Sequence, residues 1–211
     1  VSDGGFNKSD RVSIVTFEFN ESVFDFDESD VSTTTGTLSN FTMIDRDTYT
    51  VLVTVQVPDD IEASVSVVAA ADYIDASGNT GTSNQGTVIV DTLTPTVSVS
   101  FDETLLTNTN QSSVVNIDFT EPVLGFDEND LTVTGGTLSN LQLLSDRTYS
   151  VVYTADAGIQ VTGLVQVEAQ YTDRLGNPGE SGSDTVAIDR LNPSVTVDIV
   201  AASLNDPGNS S

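Results

Sequence analysis

Phe19-Asn20-Glu21-Ser22-Val23-Phe24-Asp25-Phe26-Asp27-Glu28-Ser29-Asp30 returns one hundred positions later as Phe119-Thr120-Glu121-Pro122-Val123-Leu124-Gly125-Phe126-Asp127-Glu128-Asn129-Asp130. The match extends onward along the chain. Gly36-Thr37-Leu38-Ser39-Asn40 recurs as Gly136-Thr137-Leu138-Ser139-Asn140, and Thr48-Tyr49 as Thr148-Tyr149. Further on the offset shortens by two. Tyr73, Asp75, Gly78-Asn79, Asp91, Leu93 and Pro95 match Tyr171, Asp173, Gly176-Asn177, Asp189, Leu191 and Pro193. A deletion between Tyr149 and Tyr171 explains the change and predicts a loop there. The chain of 211 residues is therefore a tandem repeat. A period of about 100 residues is too long for a solenoid unit and suits an autonomous domain.

Each repeat reads as β. Val115-Asn116-Ile117-Asp118-Phe119 alternates apolar and polar residues, as do Val165 to Tyr171 and Val195 to Ile199. One face of each strand is dry and the other wet, the signature of antiparallel sheets. In the second repeat the strands fall near 95–101, 113–119, 130–134, 137–143, 147–154, 163–171 and 184–189. Turn residues such as Gly135-Gly136 and Gly176-Asn177-Pro178-Gly179 separate them. No segment has a period of 3.6. The expected fold is all-β, two tandem immunoglobulin-like antiparallel β-sandwiches.

The expected boundaries are 1–92 for the first repeat, 93–191 for the second, and 192–211 for the opening strand of a third. Val1 onward aligns with the loop after the first strand of repeat 2, so repeat 1 is expected to lack that strand. Pro193 to Ile199 aligns with Pro95 to Phe101 and supplies a spare one. Two readings stay open: an excerpt from a longer array, or strand exchange between copies, since a free strand and an open sheet edge invite pairing.

Composition narrows the partners. Thirty-two acidic residues against six basic ones give a formal net charge of −26. Such a surface repels nucleic acid and anionic lipid and attracts cations. There is no Cys, no His and no Trp, and Lys8 is the one lysine. Thiolate nucleophiles, disulfides and Cys/His zinc sites are excluded by composition. A serine triad lacks its histidine base. Paired carboxylates of the glycosidase kind have no aromatic platform beside them in the sequence. The tyrosines are expected to pack in the cores. Neither a lipidation motif nor an apolar span is present, so no membrane insertion is expected.

Three blocks of the chain resemble the bacterial Ig-like repeats of giant surface adhesins. They are Phe119-Thr120-Glu121-Pro122-Val123 with Gly125-Phe126, Leu131 to Asn140, and Asp173 with Gly176-Asn177, Asp189 and Pro193. Repeat 1 departs from the pattern at Ser22, Asp25 and Thr35. The resemblance implies an extracellular spacer on a bacterial cell surface, partnered by neighbouring Ig-like repeats of the same chain or of other copies. It also implies Ca²⁺ near domain junctions.

Strand direction leads to a junction site independently. The linker enters the end of repeat 2 to which the loops after its second and sixth strands return. Asp91 of the linker should therefore meet Glu121 and Asp173. Three carboxylates in one place repel unless a cation sits between them, and Ca²⁺ accepts six to eight oxygens. Asp59 and Asp60 face the same junction and are further candidates, and the Asn177 side chain or the carbonyls near Thr92 and Leu93 would complete the shell. Glu21 and Asp75 are the counterparts in repeat 1, and Asp189 is the counterpart of Asp91. The ordinary alternatives also stand: Glu121 as a cap, Asp173 as the anchor of an Asx-turn, Asp91 as a solvated linker residue. The Asp25-to-Asp30 cluster lacks EF-hand spacing and reads as a solvated turn with Phe26 tucked inward. Assembly into a filament by strand donation and binding of a glycan or cell surface remain alternative functions.

Overall fold

The computed structural model describes residues 4–198. Repeat 1 carries β1 (Val12–Glu18), β2 (Val23–Phe24), β3 (Val31–Thr33), β4 (Thr37–Met43), β5 (Thr48–Thr54), β6 (Glu62–Ala69), β7 (Ile74–Asp75) and β8 (Asn84–Asp91). Repeat 2 carries β9 (Val97–Phe101), β10 (Leu105–Thr107), β11 (Ser112–Phe119), β12 (Leu131–Thr134), β13 (Gly136–Leu143), β14 (Thr148–Ala155), β15 (Gln160–Val167) and β16 (Gly182–Asp189).

In repeat 2 a sheet ordered β13-β14-β11-β9 packs on one ordered β10-β16-β15-β12. Every ladder is antiparallel except β10 beside β16. Repeat 1 repeats the plan with β1-β5-β4 against β3-β6-β8, and Phe6 bridges parallel to Val90 where β10 would lie. The chain is thus all-β, two immunoglobulin-like sandwiches in tandem. The sixth strand of repeat 2, read from alternation as running to Tyr171, leaves its ladder after Val167, and the buried Tyr171 belongs to the following loop. The two-residue change of offset falls where β14 passes to β15: residues 155–159 stand in place of residues 55–61.

Aromatic rings explain why the Phe-rich block repeats. Phe126 sits among Phe119, Tyr149 and Tyr171, with centroids 5.0, 4.8 and 6.4 Å away and the rings edge to face. Phe26 does the same with Phe17, Phe19, Tyr49 and Tyr73, and Phe41 lies tilted against it. Edge-on contact sets each ring's positive rim against a neighbour's negative face, worth about 0.5–1.5 kcal/mol per pair beyond burial.

The acidic residues after each central phenylalanine form a turn that is only partly solvated. Asp27 and Asp127 each cap a single 3-10 turn, accepting from the N–H two residues on. Asp30 and Asp130 close the box by accepting from the cap's own N–H at 2.8 Å, and both are buried. Buried carboxylates are tolerated because backbone donors satisfy them.

The repeats differ at one edge. β11 has β9 on its outer side, whereas β1, its counterpart, has no strand there among the described residues. Val115, Ile117 and Phe119 are therefore sealed, at 0, 0 and 4% exposure. Val15, Phe17 and Phe19 remain half-buried. Leu191 to Asp198 is exposed and joins no strand, and the rest of the expected 192–211 strand lies outside the described residues.

Gly36 and Gly136 are required by close approach. A Cβ on either would run into the carbonyl oxygen of Thr54 or Thr154, and Gly36 also holds a φ of 108°. Gly36→Ala and Gly136→Ala are each expected to destabilise their own repeat by about 1–3 kcal/mol, with the larger loss at Gly36. Urea unfolding followed by tyrosine fluorescence checks this; unchanged midpoints would mean that β5 and β14 yield freely.

Candidate metal centre at the domain junction

The linker has no slack. β8 ends at Asp91 and β9 begins at Val97. Thr92, fully buried, bonds through its Oγ1 with the Ile61 N–H and with the carbonyls of Pro58 and Ile61. These bonds clamp the exit from repeat 1 to its own loop. The side chain of Asp91 accepts from the Leu93 N–H at 3.0 Å and so turns toward repeat 2.

Repeat 2 brings two loops to the same point. Glu121 follows β11, and Pro122 after it favours an extended backbone. Asp173 anchors a turn, its Oδ1 accepting from the N–H groups of Leu175 and Asn177 at 2.8 and 2.9 Å. Its Oδ2 accepts from the Asn177 side chain at 2.6 Å. Asp173 is thus the Asx-turn anchor considered above, and it also meets the other two acids. One oxygen each from Asp91, Glu121 and Asp173 lies within 4.8 Å of the others. Among the described residues this is the one such group of three.

Asn177 ties the two domains together. Its amide nitrogen donates to the Asp91 carbonyl at 2.8 Å, and its oxygen accepts from the Lys8 N–H at 2.8 Å. Asn7 donates to the Leu175 carbonyl at 2.7 Å. Asp173 and Asn177 are each only 1% exposed. In repeat 1 the same turn, with Asp75 accepting from Ser77 and Asn79, is largely exposed. The hydrogen bonds from Asn79 and Ser77 hold the Asp75 carboxyl below the usual range.

The other candidates lie apart. Asp59 pairs with Arg11, and Asp60 with Lys8 at 3.1 Å, so each carries its own cation and neither joins the trio. Lys8 also donates to Thr94 in the linker at 3.2 Å. Asp60 therefore serves the junction through Lys8. The Asn177 oxygen, expected to complete a metal shell, is instead committed to Lys8. Glu21 and Asp75 line a small cavity of about 160 Å³ at the far end of repeat 1. Asp189 is exposed and accepts from Gln160 at 3.3 Å. Glu62 was not anticipated: it stands opposite Asp91 in the β6–β8 ladder and adds a fourth negative charge nearby.

The chemistry fits a hard divalent cation. The donors are carboxylate oxygens only, with no nitrogen or sulfur, which suits Ca²⁺ and not Zn²⁺. Asp173 has one lone-pair position left after its three donors, Asp91 accepts one N–H, and no donor among the described residues meets Glu121. Burial, then the charges of Asp91, Asp173 and Glu62, push the Glu121 carboxyl from 4.5 up to about 7. Burial, then Asp173 and Glu62, also raise Asp91 against the opposing Leu93 hydrogen bond.

The sign of the pH effect follows. A carboxyl raised on folding binds its proton more tightly in the folded chain. Metal-free stability is thus fullest below about 4.5 for this group and declines as pH rises through about 7. In EDTA the melting temperature of repeat 2 is expected to fall between pH 5 and pH 8, and Glu121→Gln to flatten that fall. A calorimetric series at constant ionic strength checks it; equal slopes in the two proteins would remove Glu121 as the cause.

No curated protein matches the chain. Among solved structures it is similar to the Yersinia pseudotuberculosis adhesin InvE, at 16% identity and a TM-score of 0.32, over 89% of this chain and 55% of that one. Domains 5–6 of the S-layer protein SbsC are 13% identical, with a TM-score of 0.26, over 89% of this chain and 93% of that one. A titin fragment is 12% identical, with a TM-score of 0.29, over 88% and 93% respectively. Residues 2–90 and residues 91–190 each match the family described as bacterial Ig-like domain. Two such matches cover nearly the whole chain, which therefore belongs to the bacterial Ig-like domain family.

Proposed function

We propose that the chain is a spacer segment of a bacterial cell-surface adhesin, in which Ca²⁺ at the junction stiffens one sandwich against the next. The observation that carries this reading is the convergence of Asp91, Glu121 and Asp173 from the linker and two loops of repeat 2. A spacer must transmit position and force along its length. A joint made only of hydrogen bonds can open, whereas a cation that draws oxygens from the linker and from the following domain binds the closed joint alone.

In this role Asp91 contributes the linker's oxygen, Glu121 the oxygen without a competing donor, and Asp173 an oxygen from a turn already fixed by Asn177. The ion would neutralise charge that otherwise strains the joint. Mass action then gives the magnitude: free Ca²⁺ at fifty times its dissociation constant stabilises the bound form by about 2 kcal/mol. For a domain of this size that is a rise in melting temperature of roughly 8–16 °C.

Membership of the bacterial Ig-like family supports placement on a cell surface. The sandwich fold and the absence of histidine and cysteine from the sequence support a structural rather than a catalytic role. The test is thermal unfolding and small-angle scattering in millimolar Ca²⁺ and in excess EDTA. Ca²⁺ is expected to raise the melting temperature and narrow the distribution of interdomain distances, and Glu121→Gln or Asp91→Ala to abolish both effects. Identical curves in Ca²⁺ and EDTA would leave the trio as three mutually strained acids and sink the metal role.

A further inference from the structure

The junction holds an apolar contact as well as hydrogen bonds. The methyl groups of Leu175, in the buried turn of repeat 2, lie on Gly4 and Gly5 of repeat 1. The fit leaves no room at Gly5, where a Cβ would stand 2.7 Å from one Leu175 methyl and 3.3 Å from the other. This seat is fixed to its own domain. Phe6 is buried, its N–H donates to the Ile89 carbonyl, and its carbonyl accepts from the Asp91 N–H, both at 2.9 Å. Asn7 and Lys8, the next two residues, hold the turn through the Leu175 carbonyl and the Asn177 side chain.

The two repeats differ at both halves of this contact. Gly5-Phe6-Asn7-Lys8 corresponds to Leu105-Leu106-Thr107-Asn108. Their backbones agree: Phe6 pairs parallel with Val90 as Leu106 does with Ile188. The Asn7 N–H meets the Asp10 carbonyl as the Thr107 N–H meets that of Asn110. Leu105 therefore occupies the seat position in repeat 2, with its side chain 46% exposed. In the turns, Asp75-Ala76-Ser77-Gly78-Asn79 corresponds to Asp173-Arg174-Leu175-Gly176-Asn177. Repeat 1 thus carries a small seat and a small knob, Gly5 and Ser77. Repeat 2 carries a large seat and a large knob, Leu105 and Leu175.

We infer that this contact selects which kind of repeat packs after which. The Gly5 seat takes a following repeat whose turn carries a long aliphatic side chain, as Leu175 does. A serine in that place leaves a void and forfeits the dispersion contacts of the missing atoms. A seat of the Leu105 kind matches the serine turn in volume and collides with a leucine one, forcing the joint apart. Unlike repeats therefore fit and like repeats do not, and the rejected pairings contribute as much to selectivity as the accepted one. Asn7 sharpens the choice. Its amide reaches the Leu175 carbonyl at 2.7 Å, whereas Thr107 is shorter and its hydroxyl already meets that of Thr109. The contact involves none of the three junction carboxylates, so the selection does not rest on the Ca²⁺ reading.

The test measures how tightly the two domains hold their separation. The chain has no cysteine, so Thr16→Cys and Ser139→Cys, at exposed strand positions one in each repeat, place a single pair of spin labels. Double electron–electron resonance in EDTA is expected to give a narrow distance distribution. Leu175→Ser, which gives the turn the residue of repeat 1, should broaden it about twofold, and Gly5→Leu, which gives the seat the residue of repeat 2, at least as much. Combining Gly5→Leu with Leu175→Ser should give a distribution narrower than either change alone. That rescue isolates the contact between domains, because a Cβ at residue 5 also meets the Ile89 carbonyl inside repeat 1 and Leu175→Ser cannot relieve that. Single variants as narrow as the unaltered labelled chain overturn the inference, and so does a combined variant as broad as the broader single one. A chain already broad in EDTA before any change at the contact overturns it too. If Gly5→Leu does not fold, Leu175→Ser decides alone: broadening with an unchanged circular dichroism spectrum supports the contact, and no broadening sinks it. Failure of Ca²⁺ to alter any of these distributions would count against the metal role and leave the selection standing.

Discussion

Thr92–Thr96 must leave one sandwich and enter the next, and that short tether governs everything at the junction. With Thr92 buried in the loop of repeat 1 and Val97 already in a β ladder, only four residues lie between the two anchors. Asp91 is consequently delivered to the loops of repeat 2 by covalent geometry. Asn177 then fixes the approach, with one hydrogen bond to the Asp91 backbone and one from the Lys8 backbone. Each of these would be a modest contribution alone, about 1 kcal/mol. Together with the tether they bury a turn that its twin in repeat 1 leaves in solvent.

Burying that turn creates the electrostatic problem at the joint. Asp173 is satisfied by three N–H donors inside the interface. Glu121 has no such donors, and it faces Asp91, Asp173 and Glu62. The fold answers negative charge with Lys8 and Arg11 at Asp60 and Asp59, a few residues away, yet places no cation beside Glu121. With six basic residues against thirty-two acidic ones, the chain has few side chains with which to do so. Glu121 answers by holding its proton more tightly, and on the reading proposed above a bound cation would take that proton's place.

The fold and the trio were legible in the sequence for different reasons. The sandwich could be read because alternation in β11, β14 and β16 reflects which face is buried. The trio could be read because strand direction decides which loops share an end. What escaped has local causes. β10 is three residues long with Leu105 exposed, and its parallel pairing to β16 leaves no mark in a periodic pattern. Alternation carried the sixth strand of repeat 2 on to Tyr171 because Tyr171 is buried, although a loop buries it. Lys8, Asn7 and Glu62 were invisible as junction residues because their importance arises only from the approach of two domains. The same approach is why Asp60 faces the junction as anticipated but answers to Lys8.

The two repeats, nearly identical in pattern, show that the unit of structure is offset from the unit of sequence. A sandwich of this kind is complete only when a strand from the preceding linker lies along its second strand, as β9 lies along β11. Asp91, at the head of that linker, is also the first carboxylate of the junction. Strand and carboxylate are therefore delivered together, by one segment, to one end of the domain. In repeat 1, among the described residues, no strand lies along β1, Phe17 and Phe19 are half-buried, and Glu21 and Asp75 have no third acid beside them. In repeat 2 the segment that completes the core also carries the carboxylate that meets Glu121 and Asp173.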